Sequence, residues 1–185
     1  MMKLNDPTII TVQQVWDLLE TVSDPEIPVI SIVDLGIVRK VALMDAPPLN
    51  DTTALNDTRS LNDQGVVVTI TPTYTGCPAM DMIAVQVRMA LMAAGFTTVK
   101  IVQELSPAWT TDWMSAKGKE QLQQYGIAPP IGRSIDQTFL EDLKVPCPQC
   151  GSVNTVLVSQ FGSTSCKALF KCCDCKEPFD YFKCH

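Results

Sequence analysis

Apolar residues recur at Val12, Val15, Leu18, Leu19 and Val22, the three- and four-residue spacing of one buried helix face. Thr11, with Gln14 three residues on, is a capping box, so this helix is predicted to begin near Thr11. Asp24-Pro25-Glu26-Ile27-Pro28 closes it, because a residue before proline is pushed out of helical geometry. Residues 29–33 read as extended, Asp34-Leu35-Gly36 as a turn and residues 37–44 as a strand. The β-branched run over 66–71 reads as a second strand, paired with it as an antiparallel hairpin. A nearly apolar helix follows over 79–94 and stops at Gly95. Its methionines Met80, Met82, Met89 and Met92 are expected to pack in the core. A third strand over 97–105 and a polar helix ending near Gly126 complete the series, with Trp109 and Trp113 expected as a core lid between them.

This order of elements predicts an α+β fold over residues 1–126, a small mixed sheet with helices covering one face. Residues 45–64 interrupt it. There Leu49-Asn50-Asp51, Leu55-Asn56-Asp57 and Leu61-Asn62-Asp63 repeat in a polar stretch too long for a hairpin loop, and a low-complexity insertion is expected. Residues 127–145, with Pro129, Pro130 and Gly132, read as a linker followed by a short helix over 135–145.

Two places carry candidate chemistry. Cys147-Pro148-Gln149-Cys150 and Cys172-Cys173-Asp174-Cys175 form two C-x2-C pairs with twenty-one residues between them. Two such knuckles can point four thiolates at one tetrahedral ion. Residues 146–185 are therefore predicted to be an all-β zinc ribbon with Cys147, Cys150, Cys172 and Cys175 as ligands and zinc as structural metal. An iron–sulfur cluster on the same thiolates is the rival reading. Cys173 has the wrong spacing to serve. If the last two strands pair symmetrically, Cys166 lies opposite Cys184, a second thiol pair able to hold metal or to be redox-active; two packed cysteines are the plainer alternative. His185, the only histidine, is expected in solvent.

The other place is Cys77, between the second strand and the apolar helix. Gly76 permits the turn and Pro78 suits a helix start. A thiol there meets orphan N–H groups and the positive end of the helix dipole, which favour its thiolate. A small buried hydrophobe fits the local chemistry equally well. Asp24 and Glu26 sit on a stiff loop whose plain reading is a solvated turn.

Charge and composition narrow the class. A net charge of −6 argues against nucleic acid or an anionic membrane as partner. No stretch has the length of a signal peptide or a membrane span, so a cytoplasmic protein is expected. In that compartment eight cysteines point to metal or reactive thiols rather than disulfides. A Cys–His catalytic pair is not evident, and no catalytic residue is expected.

Asp24-Pro25-Glu26-Ile27-Pro28, Asp34-Leu35-Gly36-Ile37-Val38 and Thr71-Pro72-Thr73-Tyr74-Thr75-Gly76-Cys77-Pro78 together resemble the small iron–sulfur assembly proteins, the family of bacterial SufT and eukaryotic cytosolic targeting factors. Phe161-Gly162-Ser163-Thr164-Ser165-Cys166-Lys167 and Glu177-Pro178-Phe179-Asp180-Tyr181-Phe182-Lys183-Cys184, with the ribbon between, resemble an accessory family of phenylacetate degradation. That resemblance implies a setting: the phenylacetyl-CoA 1,2-epoxidase complex, with its di-iron subunit and its reductase carrying a [2Fe–2S] centre. The carboxylate–histidine set of the first is missing here, as are the cysteine run and dinucleotide fingerprint of the second. What the resemblance leaves is an accessory or maturation role. Cys77 would carry iron or a cluster in transit, Asp24 and Glu26 would flank it, and the ribbon would dock the client. The partners implied are other epoxidase subunits or the iron–sulfur assembly machinery. A structural subunit that only stabilises the complex is the alternative, and a homodimer stays open.

Overall fold

The computed structural model describes residues 10–44, 65–131, 140 and 142–183. Helix α1 spans Val12–Leu19, and its capping box forms as expected: the Thr11 hydroxyl accepts from the Gln14 N–H while the Gln14 side chain accepts from the Thr11 N–H. Strands β1 (Val38–Met44), β2 (Gly65–Ile70) and β3 (Thr98–Gln103) form a sheet in the order β1-β2-β3. β1 and β2 are antiparallel and β2 and β3 are parallel, so the sheet is mixed as predicted. Helix α2 (Ala79–Ala93) makes the crossover between the parallel strands. Alternation along β2 buries Val66, Val68 and Ile70 against Val15, Leu19, Ile83, Val87 and Leu91 of the two helices. Gly126, at φ +93°, ends helix α3 (Ala116–Tyr125).

Residues 29–33 do not form the expected extended segment. Their apolar alternation is real, since Ile30 and Ile32 are fully buried. Side chains nevertheless turn the backbone. Asp24 Oδ1 accepts from the N–H groups of Glu26 and Ile27, each at 2.8 Å, and Ser31 Oγ accepts from the Asp34 N–H at 2.9 Å. Such local bonds compete with a strand ladder, and among the described residues only one isolated bridge survives, Ser23 to Ser31. Asp34 then ties the turn to α3: its carboxylate accepts from Ser31, Ser115 and Lys117, the last at 3.0 Å. Burial pushes this carboxyl up, but those three partners outweigh it and hold Asp34 below its ordinary value.

The methionine expectation holds only for Met80, which is buried; Met82, Met89 and Met92 are more than half exposed. With Val85 they share one side of α2, a spacing the sequence alone cannot orient toward core or solvent. Trp109 is the core lid, buried, with Nε1 donating to the Leu35 carbonyl at 3.1 Å. Trp113 is half-buried beneath the Arg39 guanidinium.

Strands β5 (Thr155–Ser159), β6 (Lys167–Cys172) and β7 (Pro178–Phe182) make the antiparallel ribbon. A two-residue strand β4 (Ile127–Ala128) adds parallel to β7, so the start of the segment read as a linker belongs to the ribbon sheet. The short helix expected over 135–145 and the repeats of 45–64 fall largely or wholly outside the described residues. Phe182 and Cys166 join the core of the first unit, and Phe182 meets Trp109 edge to face at 6.0 Å. The ribbon is therefore packed onto the α+β unit.

Candidate metal site and a second thiol cluster

The ribbon cysteines are set by two matching turns. Gly151 follows Cys150 at φ +74° and Lys176 follows Cys175 at φ +70°, so each knuckle closes with one left-handed residue. Within the turns the Gly151 N–H donates to the Cys147 carbonyl at 2.8 Å, and the Cys172 N–H donates to the Glu177 carbonyl at 2.9 Å. Asp174 fastens the knuckles to each other by accepting from Ser152 and Asn154. All four sulfurs of Cys147, Cys150, Cys172 and Cys175 lie within 4.8 Å of one another. Cys147 and Cys175 are 3.7 Å apart, and Cys150 and Cys172 are 3.6 Å apart. Four thiolates around tetrahedral zinc, with Zn–S near 2.3 Å, sit about 3.8 Å from each other, so this donor set fits zinc. The backbone N–H groups of Cys175 and Asp174 bring the Cys172 thiol down to about 7, toward the thiolate that a metal needs. Cys173 lies outside the set and gives its N–H to the Asn154 carbonyl.

The thiol pair expected from strand symmetry involves Cys184, which lies outside the described residues. β6 and β7 pair Lys167 with Phe182, and the Lys183 N–H donates to the Cys166 carbonyl at 3.0 Å. Cys166 thus faces Lys183, because the second knuckle is one residue tighter than a symmetric turn.

Cys166 instead meets the first unit. Its Sγ lies 3.9 Å from Glu26 Oε2, on the loop that carries Asp24. Cys77 shares the neighbourhood: charge on Glu26 and Asp24 acts on both thiols. Tyr74 links the elements, since its hydroxyl interacts with Cys77 and with Ser165, the residue before Cys166. Asp24 and Glu26, which the resemblance set beside Cys77, are close enough for their charge to act on its thiol. Cys166 was singled out for a different partner; only its distance from Glu26 in the folded chain assigns it here, and no spacing rule could have found it.

The surroundings of Cys77 act on its thiol in both directions. The Ala79 N–H and the Tyr74 hydroxyl do favour the thiolate, but burial, with Glu26 and Asp24 beside it, pushes the Cys77 thiol up. Pro78 is the N-cap rather than the first helical residue, and no side chain caps that end. Burial likewise lifts Cys166 to about 11. It also raises Asp24, whose two backbone N–H partners and the nearby Lys167 ammonium do not fully offset it. Tyr74 also lines a cavity of about 270 Å³ with Thr71, Thr73, Leu105 and Trp109.

A mixed-sheet α+β unit joined to a four-thiol ribbon defines a class, the iron–sulfur-assembly-related proteins extended by a zinc ribbon. The family profile described as iron-sulfur cluster assembly protein matches residues 12–101, and that described as PaaD zinc beta ribbon domain matches residues 132–183. An Escherichia coli (strain K12) protein described as a component of 1,2-phenylacetyl-CoA epoxidase is 46% identical over 94% of this chain and 93% of its own length. The chain belongs to this PaaD family. An Fe-S protein maturation auxiliary factor of Porphyromonas gingivalis (strain ATCC BAA-308 / W83) is 34% identical over 64% of this chain and 97% of its own length. A crystal structure of a domain of unknown function, DUF59, from Bacillus anthracis covers 60% of this chain and 89% of its own, at 26% identity and a TM-score of 0.47. Among the described residues no helix is long and apolar enough to cross a membrane.

Proposed function

We propose that this protein is a maturation factor for the phenylacetyl-CoA 1,2-epoxidase, receiving iron or an iron–sulfur unit at Cys77 and passing it to another component of the epoxidase. Its partners in this reading are the reductase or di-iron subunit on one side and the iron–sulfur assembly machinery on the other. Zinc held by Cys147, Cys150, Cys172 and Cys175 is structural, the role of a closed four-thiolate site. What supports the reading is that the charges of Glu26 and Asp24 act on the Cys77 thiol, in a unit matched by the iron–sulfur assembly profile. A raised thiol pKa suits a transfer site. The sulfur is protonated and unreactive when empty, and a cation at hand exchanges for its proton and is balanced by the two carboxylates.

The name of the Escherichia coli relative, which places it among the epoxidase subunits, favours a second reading, a structural subunit that stays in the complex. The two separate on co-purification. A maturation factor is needed in the cell but is dispensable in the purified active complex, whereas a structural subunit is stoichiometric with the others.

Cys77→Ser tests the transfer role. Thiol and hydroxyl are similar in size, but a serine hydroxyl does not ionise near neutral pH and is a poor ligand for iron. The variant is expected to fold, keep its zinc, and fail to restore growth on phenylacetate in cells lacking the native protein. Growth equal to native, at equal protein level, would make Cys77 a packed core cysteine and end the proposal.

A further inference from the structure

We infer that the bare face of α2 is a self-association surface, on which two copies of this chain pair their α2 helices antiparallel about a twofold axis at Val85. This contact uses neither Cys77 nor the ribbon metal.

Helix α2 buries one side and leaves another uncovered. Ala79, Met80, Ile83, Val87 and Leu91 sit in the core, while Met82, Val85, Met89 and Met92 are 52%, 49%, 66% and 55% exposed. Pro78, the exposed N-cap, extends the same stripe by one turn. From Pro78 to Met92 the steps are four, three, four and three residues, the 3.5-residue average of a helix–helix seam. Apolar residues gathered at that spacing on the solvent side mark an interface. Unbranched, polarisable methionines suit a contact that one copy leaves open.

The stripe reads nearly the same in both directions from Val85. Pro78 and Met92 lie seven residues to either side of it, and Met82 and Met89 lie three and four residues away. A twofold axis at Val85 therefore sets Val85 against its own copy, Met82 against Met89 of the second copy, and Pro78 against Met92 of the second copy.

Charge selects the occupant and its direction. Asp81 and Arg88 are exposed, seven residues apart on one flank of the stripe, and among the described residues neither has an ion-pair partner. A twofold axis lying across two antiparallel helices brings like flanks together. The axis that matches the apolar positions thus also sets Asp81 against Arg88 of the second copy, and does so twice. A parallel pair would turn that flank toward Gln86 and Ala93 and leave both charges unanswered. A partner of another sequence has to match both the methionines and the order of the charges; a second copy does so by symmetry alone.

Size sets the strength. Five side chains cover less than the ~800 Å² per partner of a standard interface, so a reversible dimer with a Kd of roughly 10–100 μM is expected. The two Cys77 positions lie at opposite ends of the contact, about 24 Å apart along the helix axis, so pairing does not join them.

Sedimentation velocity of the full-length, zinc-loaded and reduced protein, run from well below to well above that Kd, tests the surface. Native protein is expected to pass from monomer to dimer across the range. Val85→Glu, which sets two carboxylates against each other on the axis, is expected to stay monomeric. Arg88→Glu and Asp81→Lys are each expected to weaken association about tenfold or more. An equimolar mixture of those two variants regains both ion pairs, and its association is expected to return to near native strength. Native protein that stays monomeric throughout overturns the inference, whatever else then binds the face. A dimer unchanged in Val85→Glu places the contact elsewhere and overturns it as well. A mixture that associates no better than its components rejects the antiparallel pairing. Zinc and helix content are followed in every variant. Should Val85→Glu lose either, Met89→Lys is read in its place, and native-like dimerisation of that variant rejects the face.

Discussion

The ribbon knuckles and the Cys77 cluster both gather thiols, yet they are built in opposite ways. The knuckle sulfurs are drawn together by turns of four residues, each closed by a left-handed residue, with backbone N–H groups facing sulfur. The Cys77 neighbourhood is assembled from three distant segments, the loop of Asp24 and Glu26, the turn before α2 and the start of β6. Local geometry makes a tight, closed site suited to permanent metal. Long-range packing makes a looser, charged one that is stable only with compensation.

The largest effect expected from breaking this contrast is loss of the ribbon metal. In Cys172→Ala, or under a strong chelator, the ribbon forfeits a binding energy of about 10–16 kcal/mol that is also folding energy. Hydrogen exchange should show β5 to β7 unprotected while α1, α2 and β1 to β3 stay protected, and Cys166 should become freely alkylated. Exchange rising equally in both units would show that they do not fold separately.

Next in size is the turn that supports the Asp24 loop from behind. Gly36 has φ +76°, and a Cβ there would lie 2.6 Å from the Trp113 carbonyl oxygen. Gly36→Ala therefore adds a left-handed penalty to a backbone clash and should cost roughly 2–4 kcal/mol in denaturant melts. The zinc site should be untouched, and a variant that loses zinc before it loses α1 would contradict the division of labour.

Asp24→Asn separates stability from function. Burial raises the Asp24 pKa, so in the native protein its contribution to stability is present in acid and lost as pH rises through that raised value. Asparagine keeps an oxygen for the Glu26 and Ile27 N–H groups without the charge. The variant should equal or exceed native stability by up to about 1 kcal/mol at pH 7, a gap that closes as pH falls, and it should bind iron more weakly. A large loss of stability at neutral pH would mean that the ionised carboxylate is structural.

The smallest effect lies in the second knuckle. Lys176 occupies the left-handed position that Gly151 occupies in the first, so Lys176→Gly should stabilise the zinc-loaded ribbon by about 0.5 kcal/mol. A measurable loss would assign weight to the Lys176 ammonium bond to the Cys173 carbonyl.

What was legible in the sequence was whatever is decided within a few residues. Thr11 and Gln14 cap their helix because the bond spans three positions, and Gly126 ends its helix because only its own φ matters. The two C-x2-C turns announce a metal site for the same reason, as does the alternation that buries Val66, Val68 and Ile70. Residues 29–33 misled because their alternation was outvoted by side-chain bonds from Asp24 and Ser31. Met82, Met89 and Met92 misled because periodicity defines a face but not whether another element covers it. Cys166 illustrates the rest. Its partner was settled by the register of β6 against β7, which sets Lys183 opposite it, and by the packing of the ribbon on the α+β unit, which brings Glu26 to 3.9 Å. A contact across 140 positions depends on every turn and interface between its ends, so no local pattern encodes it, and only the tertiary structure decided it.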